Sequence, residues 1–144
     1  MVCNEDVSAL SGHEFSVHIR IGRELAALGA TVSRYRKREC FSQLYDYIYG
    51  EPQDKVLILY GLRRTGKTTL IRQILNEMTD EERSRSAFIQ LTTKNTLSEV
   101  NRDLKYLDEK GFRYVFLDEV TLMADFIEGA ALFSDIFAAA GMKI

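Results

Sequence analysis

At 144 residues, with 46% hydrophobic side chains, the sequence is long enough for one domain with a real core and too short for a second domain to be expected. With 19 basic and 21 acidic residues the charge is nearly balanced, so bulk electrostatics gives no reason to expect binding to nucleic acid or to an acidic membrane surface. The two cysteines, Cys3 and Cys40, lie far apart without metal-ligand spacing, and His13 and His18 form no zinc pattern, so free thiols in a reducing compartment are expected.

The opening MVCNEDVSAL carries acids where a secretory signal would carry bases ahead of an apolar core. The most apolar late stretch, 130–142, is interrupted by Ser134 and Asp135 and is too short to span a bilayer. We therefore expect a cytoplasmic protein with no membrane partner. Residues 1–30 read as a lead segment and 31–144 as the main unit. Within the lead, Glu14 to Ile21 alternates as a short strand and runs into GRELAALGA, a brief helix that Gly29 is expected to stop. Thr31 or Ser33 is the expected cap of the next helix, predicted over Arg36 to Tyr49 with Phe41, Leu44, Tyr45 and Ile48 on one face. The basic cluster Arg34, Arg36, Lys37 and Arg38 near its start opposes the helix dipole. Two readings of that cluster stand: it invites an anion, or it is a solvated run of charge. Gly50 to Asp54, which holds the single proline, Pro52, then breaks the helix.

The stretch that organises the chain follows. An apolar run, Val56 to Tyr60, feeds into Gly61-Leu62-Arg63-Arg64-Thr65-Gly66-Lys67-Thr68, and then into Leu70, Ile71, Ile74 and Leu75 at helical spacing. This is the pattern G-x-x-x-x-G-K-[ST] in the context it requires, after a buried strand and at the start of a helix. Gly61 and Gly66 let the backbone curl so that successive N–H groups face a phosphate, and the amides from Gly66 through Thr69 open a helix whose positive end faces the same anion. Lys67 supplies a mobile charge for the outer phosphates, and the Thr68 hydroxyl suits Mg²⁺. Leu62 and Thr65 complete the loop; Arg63 and Arg64 either approach phosphate or a neighbouring subunit, or are simply solvated.

Thr79 to Arg85 reads as a charged surface connection, and Ala87 to Leu91 as a second apolar strand. A helix capped by Thr96 or Ser98 is predicted to run to about Lys110, with Leu97, Val100, Leu104 and Leu107 buried and Gly111 as its terminator. A third strand, Tyr114 to Leu117, ends in Asp118-Glu119. Asp118, at the strand's carboxyl end, is expected to hold Mg²⁺ through water, and Glu119 to orient or deprotonate an attacking water. A small-molecule kinase needs the first acid but not the second, so the pair favours hydrolysis. Thr121 to Ala140 is predicted helical, with Leu122, Phe126, Leu132, Phe133, Ile136 and Phe137 for the core, Gly129 as a break and Gly141 as the close. Met142-Lys143-Ile144 reads as the opening of another strand.

Gly61 to Thr68 and Tyr114 to Glu119 together resemble the Walker A and Walker B elements of P-loop ATPases of the additional-strand group, most nearly the AAA+ type of bacteria and archaea. SRYRKREC, Ser33 to Cys40, followed by a helix and LYGLRRTGKTTLIRQ, is similar to one bacterial set of these, and the likeness covers about Thr31 to Ile144. The resemblance implies a three-layer αβα P-loop core with a parallel sheet, Mg²⁺-dependent ATP binding and hydrolysis, and assembly into rings or other oligomers. Carried over by position, Lys67 contacts the β- and γ-phosphates, Thr68 and Asp118 serve Mg²⁺, and Glu119 polarises water. The family's polar residue on the following strand, its arginine from a neighbouring subunit and its helical lid are not assigned to residues here, since Ile144 falls where that strand is expected to begin. The sequence is therefore expected to be an N-terminal fragment, truncated after the Walker B strand and its helix, and to self-associate through an exposed apolar edge.

Function is expected to be ATP hydrolysis that drives a conformational change in C-terminal parts. The alternative is a scaffold gated by ATP occupancy without turnover; a nucleic-acid partner is prompted only by the basic cluster. No Asn-Lys-x-Asp guanine-reading segment is present, Thr92-Thr93-Lys94-Asn95 included, and the adenine is expected near Val32 to Arg36.

Overall fold

A computed structural model describes residues 15–31, 39–51, 56–58, 66–120, 126–138 and 141–144. Its elements run β1 (His18–Ile21), α1 (Arg23–Ala30), α2 (Glu39–Tyr49), α3 (Lys67–Glu77), α4 (Asp80–Ser84), β2 (Ser86–Gln90), α5 (Leu97–Glu109), β3 (Tyr114–Asp118) and α6 (Phe126–Phe133), the last continuing as a wide π-turn (Ser134–Ala138). The basic cluster at 34–38 and the loop at 61–65 lie outside the described residues.

β2 and β3 run parallel, as their connection through α5 requires, with Phe88 opposite Phe116 and Gln90 opposite Asp118. β1 is antiparallel to β2, pairing His18 with Gln90 and Ile21 with Ala87. The expectation of a parallel sheet thus holds for β2 and β3 and not for β1, which lies at the edge beside β2 and runs against it. On the other side of β3 lies the C-terminal segment. Lys143 bridges Tyr114 in parallel sense, donating its N–H to Arg113 at 2.7 Å and accepting from Val115 at 2.8 Å, and the Ile144 carbonyl accepts from Leu57 N at 2.9 Å. The lead-in to the loop, 56–58, is therefore separated from β3 by 142–144.

Strand alternation sends side chains to two apolar clusters. One gathers Ala87, Ile89 and Val115 with Leu104 of α5 and Phe133 and Phe137 beyond β3; the other gathers Phe88 and Phe116 with Leu25 of α1, Leu44 of α2 and Ile74 and Leu75 of α3. Several ends follow local chemistry. Thr96 caps α5 in a reciprocal box with Glu99, and Gly111, at φ 86°, ends it while Phe112 N reaches back to Leu107 O at 3.0 Å. Gly141, at φ 98°, closes the last helical turn in the same manner, with Met142 N on Phe137 O at 3.1 Å.

Five local expectations are corrected. Within Thr79 to Arg85 lies the short helix α4 (Asp80–Ser84), because Thr79 and Glu82 form a second capping box. The helix of α6 runs through Gly129, and the irregularity comes at the π-turn, which leaves Ile136 46% exposed while Phe133 and Phe137 stay inside. Tyr45, expected on one face with Phe41, Leu44 and Ile48, is 44% exposed where those three are buried, and its ring lies 4.6 Å from that of Tyr49. Thr31 ends α1 and caps no later helix, its hydroxyl donating to Leu28 O at 2.7 Å. Gly29 does not stop α1 but lies inside it, buried against α3.

A Cβ on Gly29 would sit 2.7 Å from Asn76 N and 2.8 Å from Asn76 Cα, so the residue sets how closely the two helices approach. Both contacts are backbone, which cannot swing aside. Gly29→Ala gains helix propensity yet must move α1 away from α3, and we expect a net loss of about 1–3 kcal/mol. Urea unfolding measures it; an unchanged midpoint would mean that the helices part freely.

Candidate functional site

α3 begins where the chain turns through Gly66 at φ 92° and ψ 15°, a left-handed conformation that needs no Cβ. Gly66 is the N-cap without a side chain to cap with, and no acidic residue occupies the first turn. Its carbonyl accepts from Leu70 N at 3.0 Å, so the amides of Lys67, Thr68 and Thr69 precede the first intrahelical bond of the helix. The N-terminal amides, the positive end of the dipole and the half-buried Lys67 form a surface suited to an anion. The buried Leu70, Ile71, Ile74 and Leu75 hold the helix to the sheet.

The opposite wall is the carboxyl end of β3. Tyr114 and Phe116 face the cluster that contains α3, and alternation carries Asp118 to the same side. There its Oδ2 accepts from Thr68 Oγ1 at 3.0 Å, while its Oδ1 accepts from Glu119 N at 3.0 Å. Its carbonyl accepts from Leu91 N at 3.0 Å, which pins the strand end to β2. Two residues chosen from separate parts of the sequence are thus in direct contact. Glu119 then leaves the strand at φ 62°, the one described non-glycine residue in the left-handed region, a conformation costing about 1–2 kcal/mol. A carboxylate next to Asp118 therefore departs from the alternation of the strand at a turn.

The oxygens that meet here, one hydroxyl and one carboxylate, suit a hard cation such as Mg²⁺. Among the described residues no group of three or more His, Cys, Asp or Glu could enclose a metal. That donor set fits an ion which completes its octahedron with phosphate oxygens and water. Of the residues singled out from sequence, the structure brings together Lys67, Thr68 and Thr69 at one helix start and sets Asp118 against it, with Glu119 next in the chain at the left-handed turn. Gly61, Leu62, Arg63, Arg64 and Thr65 lie outside the described residues.

Sequence reasoning passed over Gln90. In AFIQL it is the polar exception, it is exposed at the end of an otherwise buried strand, and its register partner is Asp118. That break in the apolar run was the available signal.

A model of the protein family described as "AAA domain" matches residues 53–137, more than half of the chain, and the match takes in the α3 start and the end of β3. No curated protein and no solved structure matches. No helix among the described residues is long and apolar enough to cross a membrane.

Proposed function

The chain belongs to the AAA domain family, a class of nucleotide-binding, ATPase-type domains, and from that premise we propose that it binds Mg·ATP and hydrolyses it. The single observation that carries this reading is the 3.0 Å hydrogen bond from Thr68 Oγ1 to Asp118 Oδ2, because it joins the phosphate-loop helix to the acid-bearing strand where a bound phosphate would meet its metal.

In this reading the amides from Gly61 to Thr69 hold the phosphates, and Lys67 neutralises the charge that grows on the outer phosphate. Thr68 and Asp118 would hold the magnesium, which would offset the charge of the phosphates. Glu119 accepts a proton from, or orients, the attacking water. The apolar residues on both faces of the sheet, with α5 against one and α3 against the other, support a three-layer αβα arrangement for the whole core. Assembly into an oligomer, a cytoplasmic setting, and transfer of the nucleotide state to C-terminal parts as a conformational change belong to the same proposal.

Titration with a fluorescent Mg·ATP analogue tests it. Wild type is expected to bind, GTP to displace the analogue poorly, and Lys67→Ala to weaken binding by about 10- to 100-fold, the loss expected for a hydrogen bond to a charged group. Failure of the wild type to bind, or binding that Lys67→Ala leaves untouched, would overturn the assignment.

A further inference from the structure

Resting on that reading of the site, we infer that Gln90 is a positioning residue for the metal, holding a water of its coordination shell beside Asp118. The register of the parallel pair puts Gln90 directly across from Asp118, one strand spacing of about 4.8 Å away. Both fall on the same side of the sheet. In β2, Ala87 and Ile89 enter the cluster on the α5 face and Phe88 the one on the α3 face; in β3, Val115 and Leu117 take the first and Phe116 the second. Two residues beyond Phe88 and Phe116 come Gln90 and Asp118, and the Thr68 contact confirms the side for Asp118.

The chemistry fits the place. Each Asp118 oxygen already accepts one hydrogen bond, Oδ2 from Thr68 and Oδ1 from Glu119 N, and keeps a second lone pair. A water donating one hydrogen to that carboxylate has its other hydrogen available, and the register places the neutral acceptor Gln90 Oε1 on the strand alongside. A carboxamide adds no charge near phosphate, which a carboxylate would. The fold of β2 asks for no amide here: residues 86–89 are buried, while Gln90 is exposed. Outer partners of this kind orient the inner ligands of a metal and typically affect its affinity 10- to 100-fold.

Mg²⁺ titrations of wild type, Gln90→Leu and Gln90→Glu, each with a fluorescent ATP analogue, test the inference, with a parallel titration in EDTA. Gln90→Leu is expected to raise the half-saturating Mg²⁺ concentration by about tenfold, with nucleotide affinity in EDTA and thermal midpoint unchanged. Gln90→Glu, which keeps the acceptor but adds a charge, is expected to retain the magnesium response while lowering nucleotide affinity in EDTA. A Gln90→Leu curve that overlays wild type would overturn the role of Gln90 alone, as would an equal loss of affinity in EDTA. A wild type whose nucleotide binding ignores Mg²⁺ would overturn the reading of the site along with it.

Discussion

Glu119→Gln is expected to lower ATP turnover by about 10²- to 10⁴-fold, the contribution typical of a positioned general base, while Mg·ATP binding persists. The substitution keeps shape and hydrogen-bonding reach and removes the capacity to take up a proton. It also leaves the surroundings in place: Asp118 still accepts from residue 119's backbone N–H, and Thr68 still donates to Asp118. The left-handed turn takes residue 119 out of the alternation of β3; in a regular strand it would have pointed to the face of Leu117, away from α3. Phosphate release gives the rate and nucleotide fluorescence the binding. Unchanged turnover would remove Glu119 from the mechanism; wild-type binding without turnover would favour a scaffold gated by occupancy.

The second large effect concerns stability. Asp103 of α5 is fully buried, and its Oδ2 accepts from both Ser16 N at 2.9 Å and Val17 N at 3.2 Å. These bonds tie the start of β1 to α5; Arg102 reaches Ser16 Oγ, and Asn95 Nδ2 donates to Ser16 O at 3.2 Å. Asp103→Leu orphans both amides, each worth about 1–3 kcal/mol when left unpaired, and we expect a loss near 3 kcal/mol in urea unfolding. Because one oxygen serves both donors, Asp103→Asn can keep that acceptor and should be the milder variant. Equal losses for Leu and Asn would show that charge, and not the shared acceptor, holds β1.

What was legible in the sequence was whatever had a short-range cause. The turn through Gly66, the box of Thr96 with Glu99, the stop at Gly111 and the apolar faces of α3 and α5 each follow from a handful of neighbouring residues. The strand ending in Asp118 was readable from its apolar run closed by two acids, and a shared role for Asp118 and Thr68 from the two motifs together; their direct hydrogen bond was not. Long-range causes were not readable. The direction of β1, the close approach that Gly29 permits and the place of Gln90 across from Asp118 depend on which strands and helices become neighbours. Asp103 is intermediate: its spacing from Val100 and Leu107 put an acid on a buried stripe, a sign that partners were required, but not which ones.

The interposed segment 142–144 also bears on when the molecule can fold. The amide of Leu57 is held by the carbonyl of Ile144, and the hydroxyl of Tyr47 meets the same residue, donating to its carbonyl at 3.1 Å and accepting from its amide at 3.2 Å. Lys143, buried under the end of α2, donates to the carbonyl of Glu51 at 3.0 Å. On a ribosome, the lead-in to the phosphate loop is made long before its neighbour. Contacts of such sequence separation close late and slowly. Until Ile144 emerges, the Leu57 N–H lacks the acceptor that it has in the fold and is open to a foreign strand. Holdase chaperones would therefore be needed most in that interval of synthesis, after the loop is made and before its partner arrives.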